Sequence, residues 1–291
     1  MYRDLDFDDD ELIDELRDLG YNIDDYSLTD PEFRDLDFEG YISDGADIIL
    51  DVPYVPTDEK IVNAMLDLAE VTSEDVLYDL GCGDGRIVVA AALERNTRGV
   101  GIDVDPMRIT EAIEYAAHTG VEYLATFMEG DLMEADFSDA TVVTLYLLDL
   151  VNIQLRPRLL DELRPGTRVV SHAFDMGDWK PEQRQSCGSI NIYKWIIPAK
   201  VAGTWEWTTN DNDTYRVELK QKYQQLSGKA WINGTEAVLK TALIKGDLIE
   251  LVVSQHNNTR AEGFIMRSVG HELIAVEGER QATPAVRIMK P

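Results

Sequence analysis

Only two cysteines, Cys82 and Cys187, occur in the 291 residues. They cannot build a disulfide framework, which points to a reducing compartment and hence to the cytoplasm. No run approaches the roughly 18 consecutive apolar residues of a membrane span. Residues 1–6 show no basic stretch leading into an apolar one, so no secretory leader is read there. The four histidines, His118, His172, His256 and His271, are dispersed. Neither His-Glu-x-x-His nor Cys-x-x-Cys occurs, so no metal site is expected.

Basic residues are scarce: 27 Lys and Arg stand against 55 Asp and Glu. The imbalance is local. Residues 1–51 carry 19 acidic against 3 basic side chains, residues 52–198 carry 25 against 12, and residues 199–291 carry 11 against 12. The near-neutral last part argues against a general halophilic acidification. An acidic surface repels nucleic-acid phosphates, which need Lys and Arg to displace their counterions. Nucleic acid is therefore not an expected partner. The charge favours a basic protein or a cationic small molecule, or serves solubility alone.

The chain divides into three stretches. Residues 1–51 are Asp-rich, with one short helix suggested by Leu12, Ile13, Leu16 and Leu19 and the rest irregular. Residues 52–198 alternate helical and strand patterns. A helix is expected over 58–70 with Thr57 as its N-cap. Strands are expected over 76–80, 99–104, 122–127, 141–147, 167–172 and 191–197. Helices fill 86–95, 106–118 and 150–163, although Pro157 should kink or break the last. Such alternation implies an α/β, Rossmann-like doubly wound parallel sheet. Residues 199–291 change to two-residue alternation, with turn signals at 210–213, Gly228, Asn233-Gly234, Gly246, Asn257-Asn258, Gly270 and Gly278. That spacing reads as a small antiparallel β domain, a barrel or sandwich, with Trp205 and Trp207 in its core.

Chemistry concentrates where the first strand meets the next helix, at Asp79-Leu80-Gly81-Cys82-Gly83-Asp84-Gly85-Arg86. Gly81, Gly83 and Gly85 allow a sharp turn and close approach of a ligand. The free N–H groups at the helix start suit a carboxylate, and Asp79 can accept from an amino group. Asp103, ending the following strand, is placed to accept both hydroxyls of a ribose. Asp131, beside Leu132 after the third strand, can accept from an adenine amino group. An acid serves the ribose of NAD equally well. The acids Asp79 and Asp84 flanking the glycines, however, suit a cationic sulfonium and are awkward for a pyrophosphate. These features together indicate S-adenosylmethionine, with S-adenosylhomocysteine as product. Cys82 reads as a small packing residue and His172 as a structural histidine, while Asp175 and Asp178 precede Trp179 in a loop that can border a substrate.

The run Leu80-Gly-Cys-Gly-Asp-Gly-Arg86 with its downstream acids resembles the class I, seven-strand methyltransferases. Pro53-Tyr54-Val55-Pro56-Thr57, Leu145-Tyr146-Leu147-Leu148 and Arg164-Pro-Gly-Thr-Arg-Val-Val-Ser-His172 are similar to a narrower group. That group comprises prokaryotic relatives of the mitochondrial lysine methyltransferases that act on the c-ring protein of ATP synthase and the adenine nucleotide translocator. The resemblance covers roughly residues 52–198. It implies that Tyr54 to Thr57 form a loop over the methyl donor and that Tyr146 lies near the acceptor, which makes Tyr54, Thr57 and Tyr146 the catalytic candidates. The expected reaction is N-methylation of an amine such as a protein lysine. The alternatives are a small-molecule N- or O-methyltransferase, or a non-catalytic cofactor-binding module.

Overall fold

The computed structural model describes residues 54–255, 261–276 and 283–288. The acidic stretch with its expected short helix lies outside them, as do the turn signals at 257–258 and 278. The first element is helix α1, Glu59–Leu68, which buries Ile61, Val62, Met65 and Leu66. Its N-cap is Asp58 and not Thr57: the Asp58 carboxylate accepts from the Lys60 N–H at 2.8 Å. Thr57 turns its hydroxyl elsewhere, to the site described below.

Strand β1 (Val76–Leu80) leads into α2 (Arg86–Arg95), and β2 (Arg98–Asp103) into α3 (Pro106–Thr119). Helix α3 has the expected punctuation: Asp105 caps the Met107 N–H, Pro106 opens the first turn, and Gly120 ends it in the left-handed region. Strands β3 (Ala125–Glu129) and β4 (Val142–Leu145), helix α4 (Asp149–Glu162) and strands β5 (Arg168–His172), β6 (Gln183–Cys187) and β7 (Ile190–Ile196) follow. Pro157 does not break α4, which runs through it. An interior proline costs about 3 kcal/mol. Burial of Val151, Leu155 and Leu159 on the same helix offsets this, at about 1.5–3 kcal/mol per side chain.

The sheet order is β3-β2-β1-β4-β5-β7-β6. Strands β1 to β5 pair in parallel, but β7 lies antiparallel to β5, and β6 antiparallel to β7. The sheet is therefore mixed and not wholly parallel. The strand order reverses between β1 and β4, where Leu80 lies opposite Leu145 on one side and Ile102 on the other. A crevice opens at such a switch point, beyond the carboxyl ends of the strands.

Eight further strands close into an antiparallel barrel: β8 (Gly203–Thr208), β9 (Thr214–Lys222), β10 (Gln225–Ile232), β11 (Thr235–Lys245), β12 (Leu248–Ser254), β13 (Ala261–Val269), β14 (Glu272–Ala275) and β15 (Ala285–Ile288). Trp205, Trp207, Tyr215, Val217 and Phe264 fill its core. Gly228 is not a turn. It lies within β10 opposite Leu219, where a Cβ would sit 2.0 Å from the Glu218 carbonyl oxygen. Glycine is required there by close approach of the neighbouring strand. The barrel joins the sheet through the Ala199 N–H, which donates to the Gly246 carbonyl at 2.8 Å.

Candidate active site

At the switch point, a cavity of about 240 Å³ is lined by residues from the ends of β1, β2 and β4, from the loop after β3, and from residues 54–57. All ten residues singled out from the sequence lie on its wall except Gly85, which is the left-handed N-cap of α2 (φ 75°) immediately behind it. Gly81 and Gly83 also have positive φ, 81° and 51°. A Cβ on Gly83 would stand 2.4 Å from the Tyr54 ring, so the absent side chain is what lets Tyr54 lie on the loop. The Gly81 and Cys82 N–H groups donate to the Ile102 carbonyl, tying the loop to β2.

The carboxylates differ in environment. Asp79 is buried, and its Oδ1 accepts from the Thr144 hydroxyl at 2.7 Å. Burial, with the negative charges of Asp103 and Asp84 nearby, pushes its pKa up to about 7 against the opposing Thr144 bond. Asp103 accepts from the Gly83 N–H on one oxygen (2.8 Å) and the Asp105 N–H on the other (3.0 Å). Burial raises its pKa, and those two bonds oppose the rise. Each oxygen retains acceptor capacity. Burial also opposes ionisation of Asp84, yet the Arg86 guanidinium beside it holds its carboxyl below the ordinary value. Asp131 is exposed and accepts from the Met133 N–H at 2.7 Å.

Two arginines organise the 54–57 loop. Arg86 donates to the Thr57 carbonyl at 2.7 Å and lies 3.4 Å from the Tyr54 hydroxyl. Arg108 sits over the Tyr54 ring, 4.2 Å from its centroid. Both are also paired with acids, Arg86 with Asp84 and Arg108 with Glu111.

The far wall was partly hidden from the sequence. The Thr57 hydroxyl lies 3.3 Å from His172 Nδ1, a buried contact between residues 115 positions apart. Tyr146 packs on His172 with ring centroids 3.8 Å apart, and on Phe174 at 6.3 Å. Burial lowers the His172 pKa to about 4, so the imidazole is neutral at physiological pH. Its Nε2 is buried with no hydrogen-bond partner among the described residues. Asn152, unremarked in the sequence, is buried beneath this wall, and its amide donates to the Phe174 and Asp175 carbonyls. No local pattern marks it; it sits on α4 among apolar neighbours. Cys82 is buried, and burial pushes its thiol pKa up, as befits a packing residue.

Among the described residues no cluster of His, Cys, Asp and Glu is arranged to hold a metal ion, and no helix is long and apolar enough to cross a membrane.

The family model of the ANTKMT methyltransferase domain matches residues 79–183. A protein-lysine N-methyltransferase of Saccharolobus islandicus (strain REY15A) is 46% identical over 151 residues, covering 50% of this chain and 94% of that protein. An adenine nucleotide translocase lysine N-methyltransferase of Mus musculus is 32% identical over 148 residues, covering 51% of this chain and 64% of that protein. Among solved structures, an RNA methyltransferase from Salinibacter ruber in complex with S-adenosyl-L-homocysteine is 52% identical with a TM-score of 0.50. That match covers 50% of this chain and 96% of the other.

Proposed function

Because this chain belongs to the S-adenosylmethionine-dependent methyltransferases of the ANTKMT domain family, we propose that it methylates a lysine side chain of a protein. The observation that carries the lysine reading is the charge of the cavity. Asp79, Asp84, Asp103, Asp105 and Asp131 line it, and its two arginines are paired with acids. Such a wall attracts a cationic acceptor as well as a cationic donor.

The residues fit the cofactor. The Gly81–Gly85 loop and Asp79 would hold its amino-acid end, Asp103 the ribose, and Asp131 with Leu132 the adenine. The free acceptor capacity of both Asp103 oxygens is what a vicinal diol needs. When bound, S-adenosylmethionine supplies an electrophilic methyl group on a sulfonium. The chain's own task is alignment and exclusion of water. Tyr54 would close over the donor, clamped by Arg86 and Arg108. Thr57 and Tyr146 would orient the acceptor amine, which must shed a proton from an ordinary lysine pKa of about 10.4 before it attacks.

The Salinibacter ruber structure is named for RNA. An RNA acceptor would need cations free to meet phosphates, and among the described residues the wall offers only the two acid-paired arginines. Incubation of the chain with a cell extract and methyl-labelled S-adenosylmethionine separates the readings. Label that survives ribonuclease, disappears with protease and yields methyllysine on hydrolysis supports lysine. Label released by ribonuclease, or found only in small molecules, overturns it.

Cofactor affinity is expected to depend on pH. With its pKa near 7, Asp79 holds about half a proton in the empty site at neutral pH. A cationic ligand favours the carboxylate and expels that proton. Affinity therefore falls as pH drops below 7, approaching about tenfold per pH unit, and levels off above it. Calorimetry between pH 5.5 and 7.5, in buffers of different ionisation enthalpy, measures both the slope and the proton released. A dissociation constant that is flat over that range would refute the assignment.

A further inference from the structure

The barrel does more than adjoin the methyltransferase sheet. One joint between them is made by Gly246, whose missing side chain allows approach to the Gly166 backbone, with Ala199 bonded to its carbonyl. The second contact is of another kind. The β9–β10 hairpin places Tyr223 and Gln224 against the 173–180 loop, and that loop continues directly from His172 and contributes Phe174 beside Tyr146.

The grip is specific. The Tyr223 hydroxyl donates to Asp178 Oδ1 at 2.8 Å, and Lys222 pairs with the other oxygen at 2.8 Å. The Gln224 side chain bonds twice: its Oε1 accepts from the Trp179 indole N–H at 2.9 Å, and its Nε2 donates to the Lys180 carbonyl at 2.6 Å. The Tyr223 ring stacks on the fully buried Trp179, with centroids 5.8 Å apart. From α4, Arg156 completes the cluster by bonding both Asp178 and the Met176 carbonyl. Two residues that are not glycine adopt left-handed backbone here, Ala173 (φ 64°) at the start of the loop and Tyr223 (φ 55°) at the hairpin tip. That conformation is uncommon for residues with a side chain and persists only where its surroundings enforce it.

We propose that the β9–β10 hairpin is a positioning element of the acceptor wall, with Tyr223 and Gln224 acting through Asp178 and Trp179 to hold the 173–180 loop against Tyr146. The inference rests on the reading of the Tyr146 end of the cavity as the acceptor side. It assigns a part in acceptor binding to a barrel that lies outside the matched residues 79–183.

The test uses the full chain with Tyr223→Phe, Gln224→Ala and the double substitution, none of which touches the cavity. Amide exchange of residues 173–180 is expected to speed up about tenfold in the double variant, while the 80–86 glycine loop exchanges as before. With poly-L-lysine as acceptor, KM should rise about fivefold while kcat and the calorimetric affinity for S-adenosylmethionine stay within about twofold. Tyr223→Phe, which removes only the hydroxyl bond, should lie between the native chain and the double variant. Unchanged loop exchange overturns the proposal, and so does an unchanged KM accompanied by a lower melting temperature, since a merely structural joint gives that result. If the native chain does not methylate poly-L-lysine, KM is read with the protein that takes label from the cell extract; if no protein takes label, the lysine reading fails and takes the hairpin's acceptor role with it.

Discussion

Replacing Asp103 with alanine is expected to weaken S-adenosylmethionine binding about a hundredfold, from the loss of two charge-assisted hydrogen bonds worth about 1.5 kcal/mol or more each. The side chain has two duties. Its oxygens accept from the Gly83 and Asp105 N–H groups, so it shapes the glycine loop as well as facing the cavity. Asp103→Asn is milder but touches both duties: its oxygen keeps one backbone N–H, its NH2 meets the other, and the charge and one acceptor oxygen are lost, so affinity should fall about tenfold and the melting temperature should fall as well. Calorimetry with S-adenosylmethionine and S-adenosylhomocysteine provides the check. The ribose is common to both ligands, so both should weaken in parallel. If only the cationic donor weakens, Asp103 acts through its charge and not through the diol. If both variants stay within about threefold of the native affinity, the carboxylate does not hold the ligand, whatever it does for the loop.

The same carboxylate shows why this half of the site was readable from sequence. Strand, glycine turn, helix and second strand occupy residues 76–103 without interruption, and each boundary carries its own chemical mark. Gly81 and Gly85 need positive φ, and Asp105 with Pro106 opens α3. Local rules suffice where a cavity wall is built from consecutive backbone. Other elements escaped those rules for physical reasons. Strand β6 is Gln-Arg-Gln-Ser-Cys and mostly exposed, so no apolar alternation announces it. Strand β3 starts at Ala125 and not at 122, because the Leu124 N–H is spent on a turn back to Val121. The β9–β10 turn falls at Tyr223–Gln224, which has none of the usual turn residues; contacts across to Asp178 and Trp179 hold it.

The cavity wall around Tyr146 was the least readable part. Tyr54, Thr57 and Tyr146 entered by resemblance, and all three line the cavity. What links them was not visible, because His172 joins Thr57 to Tyr146 across segments far apart in the chain. A histidine at a strand end reads as structural, and its burial and neutrality agree. Its structural work, however, is done on the hydroxyl of Thr57, a residue of the cavity wall.

That linkage sets the second large effect. Thr57→Val, nearly isosteric, is expected to lower kcat for methyl transfer about thirtyfold while leaving S-adenosylmethionine affinity within about twofold, because misplacing an acceptor by a fraction of an ångström costs that order of rate. His172 Nε2 is buried without a partner among the described residues, and a buried N–H left unpaired is worse than a buried lone pair. The proton is therefore assigned to Nδ1, which donates to the Thr57 oxygen. The hydroxyl is then fixed in direction, with an oxygen lone pair left for an N–H of the acceptor amine. Valine removes that acceptor and strands Nδ1 as well, so stability should fall by about 1–3 kcal/mol, the cost of one unsatisfied buried group. Thr57→Ser restores the oxygen and should recover the rate to within about threefold. Single-turnover rates with poly-L-lysine, alongside melting temperatures for all three proteins, distinguish the possibilities. Recovery by serine with loss in valine places the hydroxyl in the transfer step. A valine variant that is less stable but equally fast would make Thr57 a partner for His172 alone and remove it from the chemistry.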